Sequence, residues 1–366
     1  MQVKRLPGFI AAGLVQMVAA LASAEGDATV RATGKPTDTA RSERAPTPPS
    51  VGLWGQHGLY RTCSSDLKGH AMTLTASGNL EYSIVYDALV GKDQNSRFVG
   101  RYGLLFIPFE FLEVSATYNM LLNSNSKPAS GSEGTLQLLG DVAFDVRAAL
   151  DFPLAGGRLG LSLGPQVRFA SGSRSNFEPD AFSIGVLAGA TYVFREAIPL
   201  KVHVNFGVLV DRSRNLLEGF RTSGDSLSTL SDLYARVDGA AVSSYGISAY
   251  SPVYLFRVGV ELPLKNIVPW VEYSLDLLSA SALPPYRSSD LKAGDHPQHL
   301  VVGARAFITR DRALTLGGAL DFGFNGGRFA SYVGVPGQLP WSLVANVAYT
   351  FGRASDKKCP DCPGAK

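Results

Sequence analysis

Cysteine is scarce in this chain: three in 366 residues, at positions 63, 359 and 362. No disulfide framework can hold a fold of that size with so few. Charge is also thin, at 18% of residues against roughly 25% in soluble domains. The formal net charge of +3 is too small to point to nucleic acid, so no nucleic-acid partner is expected. After residue 24 there is no apolar run of the ~18 residues that a membrane-spanning helix needs. What remains is a chain rich in glycine (39), Phe (19) and Tyr (14), a composition that suits strands better than helices.

The N-terminus reads as a secretory signal. Lys4 and Arg5 precede the apolar run 8–21, and Ala22-Ser23-Ala24 forms an A-x-A cleavage site, so residues 1–24 are expected to be a signal peptide and the mature chain to start at Glu25. Residues 25–50, rich in Thr, Pro, Ala, Arg and Glu without apolar period, read as a disordered linker. Residues 51–69 form a lead segment whose scattered apolar residues allow it to pack into one end of the domain; whether it enters the interior is left open by the sequence. Residues 353–366 are read as a periplasmic tail.

Between residues 70 and 352 a period of two dominates. In Trp341–Phe351, positions 341, 343, 345, 347, 349 and 351 (Trp, Leu, Ala, Val, Tyr, Phe) share one face. Leu314, Leu316, Leu320, Phe322 and Phe324 do the same, as do Val202, Val204, Phe206, Val208 and Val210. Such stretches occur at about 70–82, 97–107, 111–121, 135–150, 158–170, 182–195, 200–211, 250–262, 267–278, 299–309, 313–325 and 341–352. Most have the roughly 9–11 residues that a tilted strand needs to cross a bilayer.

Alternation alone also fits a soluble sandwich. The connections separate the two. Short links such as Ile107–Glu110, Phe152–Gly157, Glu196–Pro199, Pro263–Asn266 and Arg310–Arg312 alternate with long polar ones, the longest at 212–249. Short periplasmic turns and long outer loops are the habit of outer-membrane barrels. Aromatics gather toward strand ends on the apolar face (Phe106, Phe182, Tyr192, Phe194, Phe322, Phe324, Tyr349, Phe351), as interfacial girdles do. The expected fold is an all-β, transmembrane, up-and-down antiparallel barrel of about 12 strands, spanning 70–352 and located in the cell outer membrane of a Gram-negative bacterium. Its partners would be outer-membrane lipid and, during biogenesis, the barrel-assembly machinery; the extracellular partner stays unknown.

The final strand, Ala345-Asn346-Val347-Ala348-Tyr349-Thr350-Phe351, resembles the closing strand of bacterial outer-membrane barrels, although Asn346 sits where a glycine is usual and residues follow Phe351. Val335-Pro336-Gly337-Gln338-Leu339-Pro340-Trp341 is similar to the phrase that enters the last strand of OmpA-like barrels. In that family such a barrel often precedes a peptidoglycan-binding domain, an activity not carried over to these residues.

A charge facing lipid near the midplane costs roughly 2–4 kcal/mol, so charges must face the lumen. Arg101, Glu113, Asp141, Asp145, Arg147, Arg168, Arg257, Glu272, Asp276 and Arg305 are therefore expected to line it, with Glu81, Arg158, Glu261 and Asp321 on the same face. Asp141, Asp145 and Arg147 are placed to pair across strands with Arg158 and Arg168. Two readings of this lining stay open: a hydrated passive pore for small polar solutes, or a salt-bridged, plugged interior. The alternative function is a structural or surface-interaction barrel that works through its long loops.

No other motif rises to chemistry. Cys359-Pro360-Asp361-Cys362 lacks the second ligand pair a metal needs and reads as a tail disulfide, with Cys63 left over. The five histidines (57, 70, 203, 296, 299) read as scattered loop residues, and His203 has no nucleophile signature beside it for lipid chemistry. Gly156-Gly157-Arg158-Leu159-Gly160 is a strand-to-strand turn with no following helix, so it is not a dinucleotide site. No enzyme activity, cofactor or metal is expected.

Overall fold

The computed structural model describes residues 49–52, 55–86, 94–125, 135–154, 156–169, 182–194, 199–212, 251–264, 266–279, 296–309, 311–325 and 341–352. At 85, 86, 94, 95, 121, 123, 125, 135–141 and 325 the backbone alone is described. The signal peptide, residues 25–48 of the linker, the tail and most of the long loops read from the sequence lie outside these residues.

The described residues form twelve strands: β1 (Thr73–Tyr86), β2 (Gln94–Phe109), β3 (Leu112–Asn125), β4 (Thr135–Leu154), β5 (Gly157–Phe169), β6 (Phe182–Phe194), β7 (Lys201–Val210), β8 (Val253–Glu261), β9 (Ile267–Leu278), β10 (Gln298–Phe307), β11 (Leu314–Asn325) and β12 (Trp341–Phe351). Each pairs antiparallel with its sequence neighbours, and β1 pairs with β12 from Leu74↔Phe351 to Tyr82↔Leu343, closing the barrel. Closure satisfies every ladder without an edge, which a lipid environment requires.

Alternation decides the two faces. Along β5 the outward Leu161 and Leu163 are exposed, while the intervening Ser162 is buried. Along β12, Leu343, Val347 and Tyr349 point out, and Ser342, Val344 and Thr350 point in. A barrel with Leu, Val and Phe outside and Arg, Glu and Asp inside is inverted relative to a soluble protein. The fold is that of a membrane-spanning barrel of the outer-membrane type.

Strand limits differ from the sequence expectation where polarity and pairing disagree. β2 starts at Gln94, not 97, because Gln94–Arg97 pair with Ser83–Tyr86 whatever their polarity. β4 runs on to Leu154, since Phe152, Pro153 and Leu154 pair with Leu159, Arg158 and Gly157; Gly156 makes the tight turn with φ +74°. At the end of the barrel with short connections, Phe109 stacks on Phe111 (5.2 Å between ring centres), while Tyr192 meets Phe194 and Tyr349 meets Phe351 edge to face (4.6 Å each). These pairs form part of an aromatic belt at that end.

Candidate functional site: a lumen occupied by the lead segment

The lead segment lies inside the barrel. It loops in and out through one end, the end of the short turns. On entry, Ser50 Oγ accepts from Arg305 Nη1 (2.6 Å), two residues from the end of β10. On exit, Gly69 N donates to Glu110 Oε1 (2.8 Å) in the β2–β3 turn, and the chain continues into β1. Between these points two isolated bridges, Val51↔His57 and Gly58↔Cys63, fold the segment on itself. Gly55 and Gly69, at φ +87° and +78°, make bends that a side chain would strain.

The apex is Tyr60-Arg61. The Tyr60 hydroxyl donates to Glu81 Oε2 (2.7 Å) and accepts from Arg101 Nη1 (3.0 Å). The Arg61 guanidinium pairs with Asp321, and its amide donates to Glu272 Oε1 (2.6 Å). Glu81, Asp321 and Arg101 lie seven or eight residues from the turn end of their strands. At about 3.3 Å per residue and a tilt near 40°, the apex reaches roughly 20 Å into the barrel.

Further contacts circle the segment. Gln56 Nε2 donates to Asp145 Oδ1 (3.1 Å), and the His57 amide to Glu113 Oε1 (3.4 Å). Arg147 Nη2 donates to the Ser64 carbonyl (2.8 Å), and Arg257 Nη1 to the Arg61 carbonyl (2.6 Å). Thr62 N donates to Glu272 Oε2 (2.9 Å). Asn205 clamps Cys63 from both sides, accepting its N–H at 2.6 Å and donating to its carbonyl at 3.0 Å. Ser65 N donates to Thr191 Oγ1 (2.7 Å), and Ser65 Oγ contacts Ser162 Oγ (2.7 Å). Asp66 pairs with Arg158 and with Lys201 Nζ (3.1 Å). Strands β1 to β11 each bond this segment through at least one inward side chain.

The wall is shaped to admit the segment. Inward Gly103, Gly160, Gly189 and Gly259 stand where a Cβ would come within 3.0 Å of Val51, Ser65, Ser65 and Leu59 respectively. Near the turn end, Val51 and Leu67 pack with Leu105, Ile107 and Ala149 in a buried apolar cluster.

Burial sets the ionisation of the segment's own groups. It holds the His57 imidazole well below its usual value, with His70, Lys201 and Arg305 adding to the effect and Glu261 opposing it. Burial pushes the Cys63 thiol up to about 11. For Asp66 burial works against the charge, but Lys201 and Arg158 outweigh it and bring the carboxyl to about 2. Asp66 is thus a committed anion between two cations.

Nine of the ten lumen candidates are buried on the inner face: Arg101, Glu113, Asp145, Arg147, Arg168, Arg257, Glu272, Asp276 and Arg305. Asp141 lies in β4, with its side chain outside the described residues. For Arg147 and Arg158 the pairing differs from the expectation. Arg147 pairs with Glu113 opposite it on β3 (2.8 Å), Asp145 meets Gln56, and Arg158 reaches Asp66 and Asp151, while Arg168 donates to Gln166 Oε1 (2.9 Å). Register explains this: Arg147 faces Glu113 directly, whereas Asp145 faces Gln166. The histidines are not loop residues in solvent either. His57, His70, His203 and His299 are buried, and His299 Nδ1 lies 2.8 Å from Asp321 Oδ1. His203 contacts Thr191 Oγ1 (2.9 Å) inside the lumen, away from lipid. Cys63 is a free, buried thiol; Cys359 and Cys362 lie outside the described residues. Sequence reasoning did not single out Gln56, Tyr60, Arg61, Ser65 or Asp66, because a segment without period carries no mark of what it faces.

No family model matches this chain, and no curated protein matches it. Among solved structures it is similar to an outer-membrane channel from Pseudomonas putida F1, at 10% identity over 77% of this chain and 96% of that one, with a TM-score of 0.49. It is also similar to the NanC porin (11%, 75% and 98%, 0.43) and to the transport unit of the autotransporter AIDA-I from Escherichia coli (9%, 77% and 90%, 0.38). What these proteins carry is said of them alone.

Proposed function

We propose that this chain is an outer-membrane barrel closed at rest by its own N-terminal segment, a structural or surface-interaction barrel and not a steadily open pore. The observation that carries the reading is the lead segment bonded to inward residues of eleven strands. A passive pore for small polar solutes needs a hydrated path, and here the proposed pore-lining residues Arg101, Glu113, Asp145, Arg147, Arg257, Glu272 and Arg305 are engaged with the segment or with wall partners of its anchors. By the rule of short periplasmic turns, the segment enters from the periplasm. The OmpA-like resemblance of residues 335–341 stays part of this proposal at the level of barrel type alone.

The test is conductance in a planar bilayer. Residues 25–366 are expected to insert without steady open-channel steps, and the same barrel lacking 51–68 to give large, stable steps. Steady steps from the intact protein at moderate voltage would return the passive pore to first place.

A further inference from the structure

Inside the barrel, guanidinium groups have carboxylate or carbonyl partners in a regular manner: Arg61 with Asp321, Arg101 with Glu81 (2.7 Å), Arg147 with Glu113, Arg305 with Glu261 (2.5 Å). Arg97 departs from this. It lies on β2, four residues beyond Arg101 on the same inward face, and is 4% exposed. Among the described residues it has no ion pair or hydrogen bond, and its Nε is buried without a partner. The one carboxylate in β1 and β2 is Glu81. Its Oε2 already takes a bond from Arg101 and another from the Tyr60 hydroxyl. The β1–β2 seam therefore holds two guanidinium groups and one committed carboxylate, an excess of one buried positive charge.

The residue opposite Arg97 in the ladder is Ser83. It is fully buried, faces the same interior, and its hydroxyl is also without a partner. Two unspent donors, one charged and forked and one hydroxyl, thus sit side by side on the wall. A buried unpaired charge is costly unless something neutralises it, and a planar guanidinium fork fits a carboxylate or phosphate oxygen pair. We propose that Arg97 and Ser83 form a binding site for a small oxyanion, a carboxylate or a phosphate, in the part of the lumen farther from the short turns than Glu81 and Arg101. Arg97 supplies the charge and the bidentate donors; Ser83 supplies a third donor that orients the anion.

The experiment is isothermal titration of the refolded mature protein in a neutral detergent with sodium acetate and, separately, sodium phosphate. Saturable binding of at least one is expected, and the stronger of the two identifies the oxyanion class. Arg97→Gln is expected to weaken it at least tenfold, Arg97→Lys less, and Ser83→Ala by a few-fold. Arg168→Gln, which removes another inward charge, is expected to leave it within twofold. Every variant is first shown to fold by its heat-modifiable mobility. Equal binding by the intact protein and Arg97→Gln would overturn the site, as would no saturable binding of either anion by a folded barrel. The outcome is separate from the conductance test, because among the described residues no bond joins Arg97 or Ser83 to the lead segment.

Discussion

Asp66→Asn is the sharpest probe of the plugged lumen. The carboxylate lies between Arg158 and Lys201, which bring it from the ordinary 3.8 to about 2 against the opposing effect of burial. A depression of nearly two units corresponds to about 2 kcal/mol of docking free energy at neutral pH, at 1.36 kcal/mol per unit. The full 3–5 kcal/mol of a broken buried pair is not expected, because Arg158 keeps Asp151 (3.9 Å) and Lys201 keeps Glu261 (3.4 Å). The natural reporter is Cys63, buried three residues away and held by Asn205. In a background with Cys359→Ser and Cys362→Ser, thiol labelling of Cys63 at fixed pH reads transient release of the segment. About 2 kcal/mol predicts labelling roughly 30-fold faster in Asp66→Asn. The sign with pH follows from a lowered acid: the Asp66 contribution is complete above about pH 4 and is lost as pH falls through about 2. Labelling within twofold of the parent would show that Asp66 does not hold the segment, and the ion-pair account of docking would fall.

Three further outcomes follow from the same geometry. His57 is held neutral below its usual range, so an undocked segment binds a proton that the docked one does not. Docking should therefore weaken as pH falls below about 6.5, by at most tenfold per unit, and hydrogen exchange of residues 55–66, corrected for the intrinsic rate, should lose this slope in His57→Gln. Gly160→Ala places a Cβ 2.6 Å from the Ser65 carbonyl oxygen; Cys63 labelling should accelerate at least tenfold while β5 keeps its exchange protection. Leu163→Arg puts a charge on the lipid face of β5, where Leu163 is 59% exposed, and should cost about 2–4 kcal/mol in urea titrations of the barrel refolded into vesicles.

The barrel was legible in the sequence because each lipid-facing strand must show its alternation locally. Leu343, Val347 and Tyr349 face lipid whatever lies elsewhere in the chain. Strand ends were less legible. The run Ile84-Val85-Tyr86 hides the period at the end of β1, yet the backbone continues because Asn95 and Gln94 on β2 pair with it. The contacts of the lead segment were not legible, although residues 51–69 were marked as able to pack into one end of the domain. The segment's partners are far away in sequence, with Glu272 and Asp321 211 and 260 residues beyond Arg61, and it forms no regular element whose period would reveal a buried face. The charged inner face was readable as a lumen lining; the occupant that its outer partners face was not.

Whether the wall charges exist to hold the segment or to keep the barrel itself neutral has a physical answer. Arg101 pairs with Glu81, Arg147 with Glu113, and Arg305 with Glu261, all wall to wall. Of the residues that pair with the segment, Asp321 retains His299, Arg158 retains Asp151 and Lys201 retains Glu261. Removing residues 51–68 therefore leaves each of these wall charges a wall partner, and water entering the lumen solvates what the segment covered. Loss of the segment should open the barrel without unfolding it. The barrel lacking 51–68 is expected to retain its heat-modifiable mobility and most of its urea midpoint, while the intact protein with Glu81→Ala, which strips a wall partner from Arg101 and an acceptor from Tyr60, should lose more stability than the deletion does. If the deletion unfolds the barrel and Glu81→Ala does not, the segment is a folding core of the wall and not a removable plug.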